Sequence, residues 1–305
     1  MIVINKRPYQ LKNSAVCIGK FDGLHRGHQS LIEEISRFSD CNKVLFTFAF
    51  SKAPYILSPE EKRTKAEKLG IDTYVECPFD ESLKAMTPKE FFEEILVRQC
   101  DARVICVGDD FHFGKDRAGD VDVLQKLAEE AGITCIIVKK KKMYDEIISS
   151  TRIREALAKG NLPLANELLG MPYMVQGEVV HGNEIGRTLD MPTANQIPDS
   201  RKILPPFGVY ASKVSVDGME YYGVTNLGVK PTIPGENQVG VETCLLQFDG
   251  DLYGKIIQVE LCSFLRGERK FAGLEQLMHQ MEADKKNAGL FFGQRIGKTV
   301  IPTNI

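Results

Sequence analysis

Apolar positions in the first half of the chain alternate between two periods. Residues 14–19 form a short apolar run closed by Gly19, and residues 27–38 follow with Leu31, Ile32, Ile35 and Phe38 at helical spacing. Residues 44–50 repeat the strand pattern. Ser58, Pro59 and Glu61 then supply an N-cap, a proline at the first helical position and a capping-box glutamate, and Gly70 ends that helix. Thr87, Pro88 and Glu90 repeat the device ahead of Phe91, Phe92, Ile95 and Leu96. Residues 103–107 and 133–138 read as strands flanking a helix over 120–131. Strands alternating with helices predict βαβ units and a parallel sheet covered on both faces. Two further helices are expected over 151–159 and 162–169, each followed by glycine.

The pattern changes near Gly170, Met171 and Pro172. Beyond them, β-rich runs at 174–180, 209–216, 221–224, 239–248 and 256–264 follow one another without helices. Asp217 and Gly218 mark a hairpin, and residues 249–251 a second turn. Closely spaced strands of this kind predict a small antiparallel barrel or sandwich. One helix, over 274–287, ends the pattern. The expected fold class is α/β plus β. It comprises a Rossmann-like domain over 1–170 and a β domain with a terminal helix over 171–305, joined by a short connection near 168–174.

A length of 305 residues suits two domains. The net charge of −2 gives no broad footprint for nucleic acid. No apolar run approaches the roughly 20 residues of a membrane span, and the N-terminus lacks the apolar core of a signal peptide. Cytoplasmic location is expected, with neither nucleic acid nor membrane as partner. None of the eight cysteines forms a CxxC pair, which argues against a zinc ribbon and for reduced thiols.

Candidate chemistry falls in two places. Gly19, Phe21, Asp22, Gly23, His25, Gly27 and His28 lie between the first expected strand and the first helix. Ligands of open α/β sheets bind at that position, where the helix N-terminus favours an anion and glycine permits close approach. Two imidazoles there can donate to phosphate oxygens; the bland reading is a pair of surface histidines at a helix cap. In the second domain, the run over 182–195 combines Gly182, Gly186, Arg187 and a Pro-Thr-Ala-Asn turn, and reads as an anion- and metal-binding loop. It is not a Walker A loop. The imitation over 293–299 is one residue short and follows no strand.

These residues resemble known motifs. The stretch around His25 and His28 is similar to the HxGH signature of the nucleotidyltransferases. With Phe21, Asp22 and Gly23 it resembles the FAD synthetase module of bacterial bifunctional riboflavin kinase/FAD synthetases. Residues 107–119, including Asp110, resemble that module's glycine–aromatic loop. Ser149, Ser150, Thr151, Arg152, Ile153 and Arg154 resemble its SSTxIR segment. The resemblance implies that His25 and His28 are catalytic. It also implies that Gly19, Phe21, Asp22, Gly23, Asp110, Ser150, Thr151 and Arg152 hold the nucleotide. The family's Phe-x-Pro-His-Pro turn is absent: residues 48–54 carry no histidine, and Lys52 is the candidate replacement charge.

The run over 182–195 resembles the riboflavin kinase motif ending in PTAN. This implies that Gly182, Gly186, Arg187, Thr193 and Asn195 bind nucleotide, with Thr193 and Asn195 on Mg²⁺. Asp190 stands where the family has glycine. Residues 241–246 resemble the segment with the family's catalytic glutamate, here Glu242, which would accept the proton of the riboflavin hydroxyl. Residues 226–232 and 264–271 also match, and Asn226, Arg266 and Glu268 are implied to contact flavin. The expectation is a bifunctional enzyme that uses ATP and Mg²⁺ to make FMN from riboflavin and FAD from FMN. Two alternatives are a riboflavin kinase whose first domain only binds nucleotide or flavin as a regulator, and a flavin-storage protein without turnover. The oligomeric state is not encoded in these motifs.

Overall fold

The computed structural model describes residues 1–49, 54–181, 193–233 and 236–293. The first half runs β1 (Ile2–Ile4), β2 (Ser14–Ile18), α1 (Arg26–Ile35), β3 (Asn42–Ala49), α2 (Pro59–Lys68), β4 (Thr73–Pro78), α3 (Glu81–Ala85), α4 (Pro88–Glu90), β5 (Ala102–Gly108), α5 (Val121–Glu130) and β6 (Thr134–Val138). The capped turn α4 continues directly as a π-helix over Phe91–Gln99. The strands form one parallel sheet in the order β1-β4-β3-β2-β5-β6. Alternation along β2 explains its two-sided burial. Val16 and Ile18 join the cluster of Phe91, Ile95 and Leu124, while Ala15 and Cys17 join that of Leu31, Ile32 and Ile35. The chain leaves β2 toward β3 on one side and reaches β5 on the other. The carboxyl ends of β2 and β5 therefore flank a topological switch point.

Sequence periodicity missed β1 and β4. β1 is a three-residue edge strand, and β4 is a short segment whose strand-forming Thr73, Tyr74 and Val75 are followed by Glu76 and Pro78. After β6 come a hairpin, β7 (Lys142–Met143) with β8 (Glu146–Ile147), and then α6 (Ser150–Ala158) and α7 (Leu162–Leu169). Met1–Pro54 and Lys62–Ser150 make one compact unit, whereas Tyr55–Glu61 groups with the chain from Thr151 onward. By contacts, α7 thus belongs with the second unit although it precedes the change of texture near 170.

The second unit contains β9 (Tyr173–Glu178), β10 (Thr193–Gln196), β11 (Gly208–Val216), β12 (Met219–Ile233), β13 (Glu236–Leu245), β14 (Ile256–Arg266) and α8 (Leu274–Phe291). Its antiparallel order is β10-β13-β12-β11-β14-β9. The two edges meet: Val180 N–H donates to the Asn195 carbonyl at 2.8 Å, and the Gln196 amide donates to the Gly177 and Ile257 carbonyls at 2.9 and 3.0 Å. These bonds close the sheet into the expected small barrel. Asp217 (φ 50°) and Gly218 (φ 77°) make the left-handed hairpin turn between β11 and β12. Thr193 to Asn195 of the Pro-Thr-Ala-Asn segment, read as a turn from sequence, form β10 with Gln196. Its residues pair with Val241 to Cys244 of β13.

One buried ion pair lies in this unit. Lys202 Nζ is 2.5 Å from Glu61 Oε2, and both side chains are 1% exposed. Lys202 also donates to the Ile56 carbonyl and sits over the Tyr173 ring. Glu61 accepts from the N–H groups of Ser58 and Gln176, so the capping-box carboxylate of α2 is fully engaged. All eight cysteines are free thiols. Among the described residues no helix is long and apolar enough to cross a membrane.

Candidate active sites

At the end of β2 the backbone turns sharply. Phe21 (φ 48°), Gly23 (φ 82°) and Leu24 (φ 42°) all adopt left-handed conformations. Phe21 and Leu24 are fully buried, and that packing holds the strained turn in place. The turn delivers His25 as the N-cap of α1, its side chain accepting from His28 N–H at 3.4 Å. The two imidazoles stack at 3.6 Å between centroids, and Phe21 meets His28 edge-on at 5.2 Å. A Cβ at Gly27 would come within 3.1 Å of the His25 ring, so glycine is needed for this approach. Ser150, at the start of α6, donates to the Asp22 carbonyl at 2.9 Å and fastens the loop from the far side of the sequence.

The electrostatics favour an anion. The first turn of α1 carries no acidic residue, so nothing internal offsets its N-terminal partial charge. Burial, with the charge of Lys65, lowers His25 to about 4. Burial followed by His25, Lys65 and Lys62 pushes His28 well below the ordinary range. Both rings are therefore uncharged at neutral pH. His28 Nδ1 is buried without a protein hydrogen-bond partner, an arrangement that suits a ligand atom. Lys65 is 2% exposed and donates to the Gly23 carbonyl at 3.3 Å. Neither Lys62 nor Lys65 was picked out from sequence.

Other expected residues have different surroundings. Asp110, after β5, is paired with Lys140 at 2.9 Å in an exposed position. An added Cβ at Gly19 would press on the Phe21 ring at 3.3 Å. Thr151 is exposed and Arg152 half-buried on the first turn of α6. Lys52 and the missing Pro-His-Pro position lie outside the described residues.

In the second unit, strand register builds the site. Asn195 pairs with Glu242, Glu242 with Asn226, Asn226 with Val209 and Val209 with Arg266. One transverse row across five strands thus carries four of the residues expected from sequence. Thr193, two positions from Asn195 on the same face, donates to Glu242 Oε1 at 2.7 Å. A cavity of about 250 Å³ opens here against α8. Thr193, Asn226, Glu242, Arg266 and Glu268 line its polar side, and Val224, Phe271, Leu277 and Met281 its apolar side. Arg266 does not reach freely into this space. Asp284, missed from sequence, grips it with hydrogen bonds of 2.9, 3.1 and 2.6 Å, and Gln280 donates to the same carboxylate. The Glu268 carboxylate lies so close to Gly228 that any Cβ there would collide with it. Gly182, Gly186, Arg187 and Asp190 lie outside the described residues.

Oxygen donors dominate the polar wall: the Thr193 hydroxyl, the Glu242 carboxylate and, next to them, the Asn195 amide, whose nitrogen donates to the Thr193 carbonyl. This donor set suits a hard cation such as Mg²⁺ that keeps waters and phosphate oxygens as its other ligands. Among the described residues no cluster of three His, Cys, Asp or Glu side chains could hold a metal unaided.

Comparison with known proteins agrees with this two-site layout. The riboflavin kinase family matches residues 169–292 and the FAD synthetase family residues 7–152. The bifunctional riboflavin kinase/FMN adenylyltransferase of Escherichia coli (strain K12) is 40% identical over 290 residues, covering 90% of this chain and 92% of that protein. The enzyme of the same name from Bacillus subtilis (strain 168) is 36% identical over 295 residues, covering 92% of each. A crystal structure described as a macrolide-efflux protein from Streptococcus pneumoniae superposes with a TM-score of 0.81 at 30% identity, covering 94% of this chain and 99% of that one. With separate folds for the two chemistries, and relatives that span both, the chain belongs to the bifunctional riboflavin kinase/FMN adenylyltransferase family.

Proposed function

We propose that the chain carries out the two reactions of its family at two separate sites. ATP phosphorylates riboflavin to FMN, giving ADP, and a second ATP adenylylates FMN to FAD, releasing pyrophosphate. The kinase reaction belongs to the barrel site. The single observation that carries this assignment is the Asn195–Glu242–Asn226 row with Thr193 hydrogen-bonded to Glu242, beside an apolar wall suited to a flavin ring. Glu242 accepts the proton of the riboflavin 5′-hydroxyl as its oxygen bonds to the γ-phosphorus and the bond to ADP breaks. Phosphoryl transfer rests mainly on positioning, and a base fixed by strand register serves that need. Thr193 and Asn195 would hold Mg²⁺, which neutralises phosphate charge when bound. Asn226 and Glu268 line the flavin side, and the Arg266–Asp284 grip fixes the start of the segment leading to α8.

Adenylyl transfer belongs to the His25–His28 loop. A phosphate oxygen of FMN bonds to the α-phosphorus of ATP as pyrophosphate leaves. The uncharged imidazoles donate N–H groups to phosphate oxygens, and the N-terminus of α1 adds its amides. Neither reaction needs a covalent enzyme intermediate. We place the enzyme in the cytoplasm, where ATP is available and eight free thiols persist.

The test is chromatographic separation of flavins after incubation with ATP and Mg²⁺. Riboflavin should yield FMN, and supplied FMN should yield FAD. Chelation of Mg²⁺ should stop FMN formation, and FMN formation undiminished without divalent metal would overturn the metal assignment. Conversion of riboflavin that stops at FMN, with supplied FMN never becoming FAD, would refute the adenylyl site.

A further inference from the structure

The wall of the barrel cavity formed by α8 holds an acid that phosphoryl transfer itself does not use. The Asp284 side chain is 3% exposed, and that of Arg266, at the end of β14, is 14% exposed. Arg266 Nε–H reaches both carboxylate oxygens, at 2.9 and 3.1 Å, and Nη2 reaches Oδ2 at 2.6 Å. Nη1 donates to the Gly267 carbonyl at 3.0 Å. Gln280, one helical turn before Asp284, donates to Oδ1 at 2.9 Å and so fixes the carboxylate from its own helix.

Resting on the assignment of riboflavin phosphorylation to this barrel, we propose that Asp284 is a positioning residue for riboflavin and acts through Arg266. It holds the guanidinium at the cavity wall as a fixed donor for a polar edge of the flavin ring system.

A guanidinium carries five N–H groups in a planar fork. Asp284 engages the one on Nε and one of the two on Nη2, and Gly267 engages one of the two on Nη1. Among the described residues, this leaves one N–H on each terminal nitrogen for an acceptor in the cavity that Arg266 lines. Charge decides which substrate the fork serves. Asp284 offsets the guanidinium charge at hydrogen-bond distance, and the neighbouring Lys285 is paired with Glu282 at 3.0 Å. The α8 wall therefore offers direction with little net charge. A polyphosphate rewards net positive charge, whereas an uncharged ring with carbonyl oxygens needs only aimed donors. The surroundings agree. Leu277 and Met281 precede Asp284 by seven and three residues and share its face of α8. The Phe271 ring lies 5.9 Å from the Arg266 guanidinium. Apolar surface beside a neutralised fork fits a flat fused ring with polar atoms along one edge.

The experiment compares Asp284→Asn, Arg266→Met and the double variant in the full-length enzyme. FAD formation from supplied FMN and circular dichroism serve as folding controls. Asp284→Asn keeps the size of the side chain and removes the charge that grips the fork. It should raise the KM for riboflavin by about 10- to 100-fold, the scale of one hydrogen bond to a charged group. The KM for ATP and kcat should stay near parental values, because a contact to the ring serves ground state and transition state alike. The Kd of riboflavin, from equilibrium dialysis with ADP and Mg²⁺, should rise by the same factor. The double variant should show the riboflavin KM of Arg266→Met alone, because Asp284 acts only through Arg266. It should also unfold at a higher temperature than Arg266→Met, which strands a buried carboxylate. Effects of the two substitutions that multiply in the double variant would overturn the route through Arg266. A KM that rises for ATP in place of riboflavin would put the fork on phosphate and overturn the proposal. Parental KM values for both substrates in folded Asp284→Asn would reduce Asp284 to packing and overturn it too; the barrel assignment would stand if Glu242→Gln still lowers kcat. Parental FMN formation at subsaturating riboflavin in both Asp284→Asn and Glu242→Gln would instead overturn the barrel assignment.

Discussion

Glu242→Gln separates the two chemistries most cleanly. The change removes a proton acceptor and keeps the shape of the side chain. Its amide oxygen can still accept from the Thr193 hydroxyl, which now sits 2.7 Å from Glu242 Oε1, so the nucleotide side of the cavity stays in place. Glu242 is half-buried on β13, held between Asn195 and Asn226 by strand pairing, and the substitution should fold normally. A general base contributes about 10²- to 10⁴-fold. Phosphoryl transfer has a loose transition state in which the nucleophile is little deprotonated, and this favours the lower part of that range. A fall of about 10²- to 10³-fold in kcat corresponds to about 2.7 to 4 kcal/mol. The KM for ATP should barely move. Glu242→Ala should in addition raise that KM, because it strands the Thr193 hydroxyl. The assay is separation of riboflavin, FMN and FAD from one preparation fed either riboflavin or FMN. Parental FMN formation in Glu242→Gln would refute the base. Equal loss of FMN and FAD formation would refute two independent sites.

Three further outcomes follow from the geometry. His28→Ala should abolish FAD formation from supplied FMN and spare FMN formation, measured in the same flavin assay. Lys202→Met leaves the Glu61 carboxylate buried, and should destabilise the second unit by about 3 to 5 kcal/mol, seen as a lower midpoint of heat inactivation of the kinase. Lys202→Met combined with Glu61→Gln should recover part of that loss, and full additivity would refute the coupling. His25 titrates near 4 in the folded chain against an ordinary 6.5. The unfolded chain therefore takes up a proton between those values that the folded one does not, and stability falls as pH falls. From pH 7 to pH 5 this amounts to about 2 kcal/mol. His25→Asn, which preserves a capping acceptor, should flatten that slope in thermal unfolding scans.

The order of elements and the motif residues were legible because both depend on local signals. Ser58 and Thr87 announce their helices through capping chemistry, and the structure bears out both. Asp217 and Gly218 announce their turn through left-handed conformations that few other pairs adopt. What escaped depends on tertiary context. Residues 59–68 carry eight charged or polar side chains, and nothing local says that Lys65 will be buried against Gly23. Asp284 lies on a helix of mixed polarity, and its grip on Arg266 spans a loop. The strand character of Thr193 to Gln196 comes from pairing with β13, which overrides the turn preference of the Pro and Asn around it.

The two sites solve the same phosphate problem on different scaffolds. In the barrel, Asn195, Glu242, Asn226, Val209 and Arg266 owe their alignment to strand register, so the spacing between base and neighbouring oxygens is set by hydrogen bonds of the barrel itself. A one-residue slip would turn Glu242 to the interior face where Thr225 and Thr243 share a hydroxyl contact, so the register is defended by burial on both sides. The adenylyl site has no such lattice. Its histidines hang on a left-handed loop held by buried Phe21 and Leu24, by Ser150 at the Asp22 carbonyl and by Lys65 at the Gly23 carbonyl. On the proposed assignment, the oxygens that the barrel presents to phosphate call for a cation from solution to offset like charges. The loop instead presents uncharged imidazoles at the N-terminus of a helix whose first turn carries no acidic residue.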